Sequence, residues 1–81
     1  MAHAYRNPMR IRNLSGVPLV VVIEPWASEW ELASGEAGEV MVTHPSKFPR
    51  LSLDWLEGRA VFYVEDEGSL YEFWRDGVQV D

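Results

Sequence analysis

The sequence predicts a small all-β protein, an antiparallel β-sandwich or barrel of seven to eight short strands. Apolar and polar residues alternate mostly with a period of two, which is typical of strands with one buried face. Turn residues recur about every 8–12 positions, a spacing typical of sandwiches and barrels. Stacking or closing the sheets would also protect the edges of so many strands. We expect a single β domain over residues 9–81, preceded by a flexible N-terminal arm over residues 1–8.

The first half of the chain contains four predicted strands. Residues 9–14 alternate apolar side chains with arginines and lead into a turn. Residues 18–24, PLVVVIE, are apolar on both faces and rich in β-branched residues, so we place them at the centre of a sheet. This strand ends at Pro25, which cannot donate a backbone hydrogen bond to a ladder. Residues 29–32 and 38–44 alternate again and are separated by a glycine-containing turn.

The second half of the chain contains four more predicted strands. Residues 50–55 alternate leucine and tryptophan with polar side chains. Residues 59–65 and 70–75 are rich in aromatic and β-branched residues, which favour strands. Asp76-Gly77 predicts a two-residue hairpin turn, because both positions tolerate positive φ. The chain then returns through a short final strand at residues 78–80.

Two segments also fit a short helix. In residues 25–33 a proline suits the first helical turn, Trp26 and Trp30 would share a face, and Gly35 would end the helix. Residues 52–57 would form a single helical turn. We favour the strand interpretation for both segments.

The segment PLVVVIEPWASEWELASGE resembles a family of small bacterial all-β proteins that has no known activity. In that family PL-x-V-x-x-EPW is followed by a leucine, a glycine-containing turn and E-x-x-V. Relatives often carry PPG where this chain has Ala33-Ser34-Gly35, which implies a turn and supports a strand at residues 29–32. The matching positions are Pro18, Leu19, Val21, Glu24, Pro25, Trp26, Leu32, Gly35, Glu36 and Val40. The resemblance implies a fold and no function.

Composition excludes several classes of function. The formal net charge is -6, which opposes binding to nucleic acid or to an anionic membrane surface. No apolar run approaches the roughly 20 residues that span a bilayer, so we expect a cytoplasmic protein. The chain has no cysteine, which excludes disulfides and zinc sites built on cysteine. Its aromatic residues must therefore supply much of the buried surface.

A candidate binding site lies at the end of the central strand. Glu24 and Trp26 flank Pro25, and Glu29 and Trp30 follow closely. A carboxylate beside an aromatic ring is an arrangement that binds sugars and cations. The structural alternative is that Trp26 closes one end of the core. The pattern therefore predicts a small-ligand or carbohydrate-binding module as one possible function.

Enzymatic chemistry is a further alternative. Glu24, Glu29, Glu31 and Asp54 supply carboxylates for a glycosidase-like pair, which requires a defined separation. His44 is the one histidine within the predicted fold, and a transition-metal site generally needs several. A lone histidine before a proline is more often an exposed turn residue. We therefore expect no enzyme activity, no catalytic residues, no metal site and no cofactor.

The aromatic strands suggest an interaction surface. In residues 59–65 and 70–75 large apolar side chains occupy both faces, so one face of each strand needs a cover. A partner chain, a ligand or a second sheet could supply that cover. We expect a non-enzymatic interaction module, either a homo-oligomer or a subunit bound to a protein partner. The predicted interface residues are Phe62, Tyr63, Tyr71, Phe73 and Trp74.

Overall fold

The structure, a computed structural model, describes residues 4–81 and confirms the all-β prediction. Strands form at residues 28–32 and 51–56, where a short helix was the alternative. The eight strands in this range are β1 (Tyr5–Arg12), β2 (Leu19–Glu24), β3 (Ser28–Leu32), β4 (Ala37–His44), β5 (Leu51–Leu56), β6 (Arg59–Val64), β7 (Leu70–Arg75) and β8 (Val78–Gln79).

The strands form two four-stranded sheets that pack as a sandwich rather than a closed barrel. Sheet A has the order β1-β4-β7-β8, and sheet B has the order β3-β2-β6-β5. Neighbouring strands are antiparallel except β2 and β6, which run parallel. The β2–β6 pair is thus the one parallel exception among the described strands to the predicted antiparallel arrangement. Parallel neighbours need a long crossover, and the chain supplies one by passing through β4 of the opposite sheet between β2 and β6.

The predicted N-terminal arm is too long. Strand β1 begins at Tyr5, and Tyr5 to Pro8 continue its antiparallel ladder with β4. A proline is tolerated here because β1 is an edge strand, where one side of the backbone needs no ladder partner. Residues 1–3, His3 included, lie outside the described residues.

The core lies between the inner faces of the two sheets. As predicted, β2 is a central strand, and Val21 and Ile23 on its inner face are fully buried. Phe62 of sheet B and Phe73 of sheet A are the largest fully buried side chains. Trp30 stacks on Phe73 with ring centroids 5.4 Å apart. The aromatic residues thus supply the burial that a chain without disulfides needs.

Gly38 makes room for this aromatic pair. It lies inside β4, directly opposite Arg75 of β7. A Cβ atom at this position would come within 2.9 Å of the Phe73 ring and 3.4 Å of Leu32. The glycine therefore serves close packing of the ring against the backbone, a use that is common for glycine inside strands.

Two predicted chain reversals are confirmed. Strand β2 ends at Glu24, and the Glu24–Pro25 peptide bond that follows is cis. Asp76 and Gly77 connect β7 to β8 with φ angles of 47° and 82°. Positive φ at both positions is the geometry of a type I′ hairpin turn, which suits the twist of the flanking strands.

A buried asparagine joins the loop after β1 to the end of β3. The Asn13 side-chain amide donates to the carbonyl oxygens of Val17 (2.6 Å) and Leu32 (3.0 Å). Its oxygen accepts from the Ser15 backbone N–H (3.1 Å) and hydroxyl (2.6 Å). The side chain is almost completely buried, so these bonds satisfy polar groups that water cannot reach.

Candidate functional site

The two tryptophans of the predicted binding corner contact different partners. Trp26 lies in the β2–β3 turn and is 39% exposed. Its ring packs against the Tyr71 ring, with the centroids 4.6 Å apart and the ring planes at 47°. Trp30 points between the sheets and stacks on Phe73. The two indoles therefore do not form a shared platform for a sugar ring. Trp26 alone of the pair offers substantial ring surface to a ligand.

The carboxylates of the predicted corner lie on the outer face of sheet B. Glu29 forms an ion pair with Arg59 at 3.5 Å. Because β2 lies between β3 and β6, this pair spans the outer side of β2. Glu24 is half-buried at the end of β2. Glu29 thus belongs to a surface contact between strands, and Trp30 lies on the opposite face of β3.

A shallow cleft of about 400 Å³ lies beside Trp26. The β6–β7 connection, residues 65–69, forms much of its wall together with Pro25 and Val64. The Ser69 hydroxyl is buried and has no hydrogen-bond partner. Buried polar groups usually have a partner, and no protein atom in the described residues provides one for this hydroxyl in the cleft wall.

Asp66 fixes the loop that borders this cleft. Its buried carboxylate accepts hydrogen bonds from the Arg50 backbone N–H (2.6 Å) and guanidinium (3.2 Å), and Lys47 lies 3.2 Å away. These bonds, led by the backbone N–H of Arg50, hold the pKa of Asp66 well below its usual range. The carboxylate is committed to joining the β4–β5 and β6–β7 connections, and it remains ionised at neutral pH.

His44 is a buried structural residue, and its predicted place as an exposed turn residue is wrong. Its Nδ1 accepts hydrogen bonds from the backbone N–H groups of Ser46 (3.1 Å) and Lys47 (3.3 Å). Nε2 therefore carries the proton and donates to the Glu67 carbonyl oxygen at 2.9 Å. Both ring nitrogens are engaged with backbone groups. Within residues 4–81 no three His, Asp or Glu side chains gather as a metal site would require.

The predicted aromatic interface is divided by the fold. Phe62 and Phe73 are 0% exposed because the two sheets cover them, so their prediction as interface residues is wrong. Tyr71 also points inward, and its hydroxyl bonds to Ser28 at 2.6 Å and to the Asp81 carboxylate. Burial, followed by these contacts with Asp81, raises the pKa of Tyr71. The cover that both strands needed is thus largely the opposite sheet.

The two remaining predicted interface residues lie on opposite outer surfaces. Tyr63 faces outward from sheet B and is exposed, whereas Trp74 faces outward from sheet A. The Trp74 indole N–H donates to Glu72 at 3.0 Å. One partner surface cannot contact both side chains on the same molecule unless it wraps around the sandwich.

The edge strand β5 is an open apolar feature outside the predicted site and interface residues. Trp55 and Leu56 at its end are each 60% exposed. Edge strands usually carry proline, several charges or a covering segment that blocks pairing with another chain. β5 contains neither proline nor glycine, and Asp54 is its one charged residue. The missing signal was strand order, since the sequence does not identify β5 as an edge.

The other three edges in the described part of the chain are better protected. β1 contains Pro8 and three arginines, which oppose pairing by lost hydrogen bonds and by repulsion. β3 carries two glutamates, and Arg75 donates to the Glu31 carbonyl oxygen at 2.8 Å. β8 has only two residues. β5 is thus the longest edge without such protection.

The free backbone groups of β5 can be assigned from its ladder with β6. The Glu65 N–H donates to the carbonyl oxygen of the directly opposed Arg50 at 3.1 Å. Hydrogen-bonded and non-bonded pairs alternate along an antiparallel ladder. Ser52, Asp54 and Leu56 therefore bond to β6, while the other three residues of β5 direct both N–H and C=O toward the open edge. These three are Leu51, Leu53 and Trp55.

Among the described residues no helix has the length and hydrophobicity needed to cross a membrane.

Comparisons with known proteins do not supply a relative from which a function could be transferred. Searches against protein-family models, curated proteins and solved structures gave no significant match.

Proposed function

We propose that the protein is a non-enzymatic interaction module that associates with itself through the edge strand β5. The observation that carries this proposal is the exposure of Trp55 and Leu56 on an edge strand whose residues Leu51, Leu53 and Trp55 have free backbone groups. Adding a strand to such an edge provides affinity through backbone hydrogen bonds and specificity through alternate side chains. Covering the exposed parts of these two apolar side chains would stabilise the associated state by roughly 1–2 kcal/mol for each side chain.

One pair of the predicted carboxylates lies too far apart for glycosidase chemistry. Glu29 and Asp54 lie in the same cross-strand row of sheet B, three strand positions apart, which is about 14 Å at normal strand spacing. Paired glycosidase carboxylates lie roughly 5–9.5 Å apart. Glu29 is also engaged by Arg59. This pair is therefore too widely separated for such chemistry.

Self-association predicts a molecular mass that rises with protein concentration. We expect sedimentation equilibrium to show a reversible dimer of the unmodified chain, and Trp55→Lys to remove it. A charge on an unpaired edge strand opposes strand addition, while a side chain that is 60% exposed contributes little to the fold. Leu70→Lys is the matched control, because Leu70 is 71% exposed on the outer face of sheet A. That variant should dimerise normally.

Circular dichroism and urea unfolding of both variants would confirm that the fold is retained. A chain that stays monomeric at millimolar concentration would refute the proposal. Equal loss of association in Leu70→Lys would move the contact surface away from β5.

A second candidate function is binding of a small polar ligand, such as a sugar, in the cleft beside Trp26. It is favoured by the unpartnered Ser69 hydroxyl in the cleft wall and by the exposed part of the Trp26 ring. We expect glycan titration to change tryptophan fluorescence, and Trp26→Ala to remove the change. Trp55→Phe should retain it, because Trp55 is not among the residues that line the cleft. No fluorescence change across a glycan panel would refute sugar binding.

A further inference from the structure

We infer that the partner of β5 is the β5 strand of a second copy, paired antiparallel about a two-fold axis, with Leu53 opposite Leu53. This inference rests on the proposed function and specifies its geometry. The two copies of sheet B would then join into one continuous eight-stranded sheet. A two-fold contact of this kind uses the same strand on both chains and closes after two copies.

The hydrogen-bonding pattern restricts the register. Leu51, Leu53 and Trp55 direct their backbone groups to the open edge, as the ladder between β5 and β6 requires. In an antiparallel pair, residues that exchange both N–H and C=O bonds must lie directly opposite each other. Placing Leu53 opposite Leu53 also places Leu51 opposite Trp55 at both ends. All three free positions on each strand then have a partner.

The side chains agree with the same register. Leu51, Leu53 and Trp55 lie opposite inner-face residues of β6, so their side chains are on the core side of sheet B. The centred register packs these leucines and tryptophans together across the axis. On the outer side it places Ser52 opposite Asp54, and the serine hydroxyl can donate to the carboxylate.

A shift of two residues in either direction is less favourable. One shift places Asp54 opposite Asp54, and like charges directly opposed on a sheet are destabilising. The other places Trp55 opposite Pro49, which has no N–H to donate. A shift by one residue reverses the side-chain faces of one strand relative to the other. Among these registers, the centred one avoids all three penalties.

Disulfide trapping tests this register directly, because the natural chain contains no cysteine. We expect an equimolar mixture of Ser52→Cys and Asp54→Cys chains to form a covalent dimer under mild oxidation, and neither variant to do so alone. Opposed residues of a non-hydrogen-bonded pair have Cα atoms about 4.5 Å apart, within the range of a disulfide. Identical positions are diagonal neighbours, roughly 7–8 Å apart, and lie too far for a disulfide.

Both substitutions point away from the core, and sedimentation of the reduced variants checks that they still associate. Ser34→Cys, exposed in the turn between β3 and β4, is the control for random oxidation and should remain monomeric on a non-reducing gel. The trap should also be lost when Trp55→Lys is added to both chains.

The outcomes separate the register from the proposed function. A covalent dimer of Asp54→Cys alone or of Ser52→Cys alone would establish a shifted register and overturn the inference. Reversible dimers that Trp55→Lys removes, without any covalent product, would also overturn the register but preserve association through β5. A strict monomer before oxidation would overturn both.

Discussion

Replacing Phe73 with alanine is expected to lower the free energy of unfolding by about 3–5 kcal/mol. The side chain is completely buried, stacks on Trp30 and packs over Gly38. Small domains have only about 5–15 kcal/mol of total stability, so this loss would be a large fraction of the total. Urea denaturation followed by tryptophan fluorescence measures this loss.

Tyr63→Ala is the matched control for this prediction. Tyr63 belongs to the same predicted interface as Phe73, but it lies on the outer face of sheet B and is exposed. Removing this side chain should lower the free energy of unfolding by less than about 1 kcal/mol, as is usual for surface substitutions. If Phe73→Ala remained as stable as Tyr63→Ala, Phe73 would not be a core residue and the packing of sheet A on sheet B would need revision.

Replacing Asn13 with alanine is expected to cost about 2–4 kcal/mol. The change removes two hydrogen bonds to the carbonyl oxygens of Val17 and Leu32 and two that Ser15 donates. The net contribution of a hydrogen bond to folding stability is about 0.5–1.5 kcal/mol, and a buried polar group left without a partner destabilises the fold further. Thermal unfolding monitored by circular dichroism would record the change.

Asn13→Asp separates the two halves of this network. An aspartate keeps the acceptor that Ser15 uses, but it brings a negative charge against two carbonyl oxygens in a buried site. We expect it to be at least as destabilising as alanine at neutral pH and to recover stability in acid, where a protonated carboxyl can donate one bond. If Asn13→Ala left the free energy of unfolding unchanged, the loop would be held mainly by the backbone bonds between Asn13 and residues 35–36.

The proposed association gives the unequal protection of the sheet edges a physical meaning. Edges that carry proline, arginines or glutamates oppose strand addition, which keeps β1 and β3 from pairing with other chains. β5 lacks that protection and ends in exposed apolar residues. An unprotected edge is an aggregation risk unless it is paired, and a two-fold β5 pair would remove the risk.

Local residue patterns were enough to predict much of the fold. The β-branched run at residues 18–24 identified the central strand, because few other environments suit a segment that is apolar on both faces. Asp76-Gly77 identified the final hairpin, since its φ requirement is met within the turn itself. Both predictions depend on interactions between residues that are close along the chain.

The candidate site was harder to predict because its parts are brought together from distant segments. Trp26 and Trp30 are four residues apart, yet one contacts Tyr71 and the other Phe73. His44 is buried because the distant Glu67 carbonyl and the local loop engage both ring nitrogens. Neither the partner of a side chain nor its burial follows from alternation alone.

The sequence by itself determined which residues form strands and which side chains share a strand face, because a period of two is a local property of the extended backbone. Only the tertiary structure decided which face is covered and which strands end a sheet. Those facts depend on pairing between segments far apart in the chain, such as β2 with β6. In a central strand, the same sequence at residues 51–56 would have neighbours on both sides and no free edge. The edge position of β5 makes it a candidate surface for association.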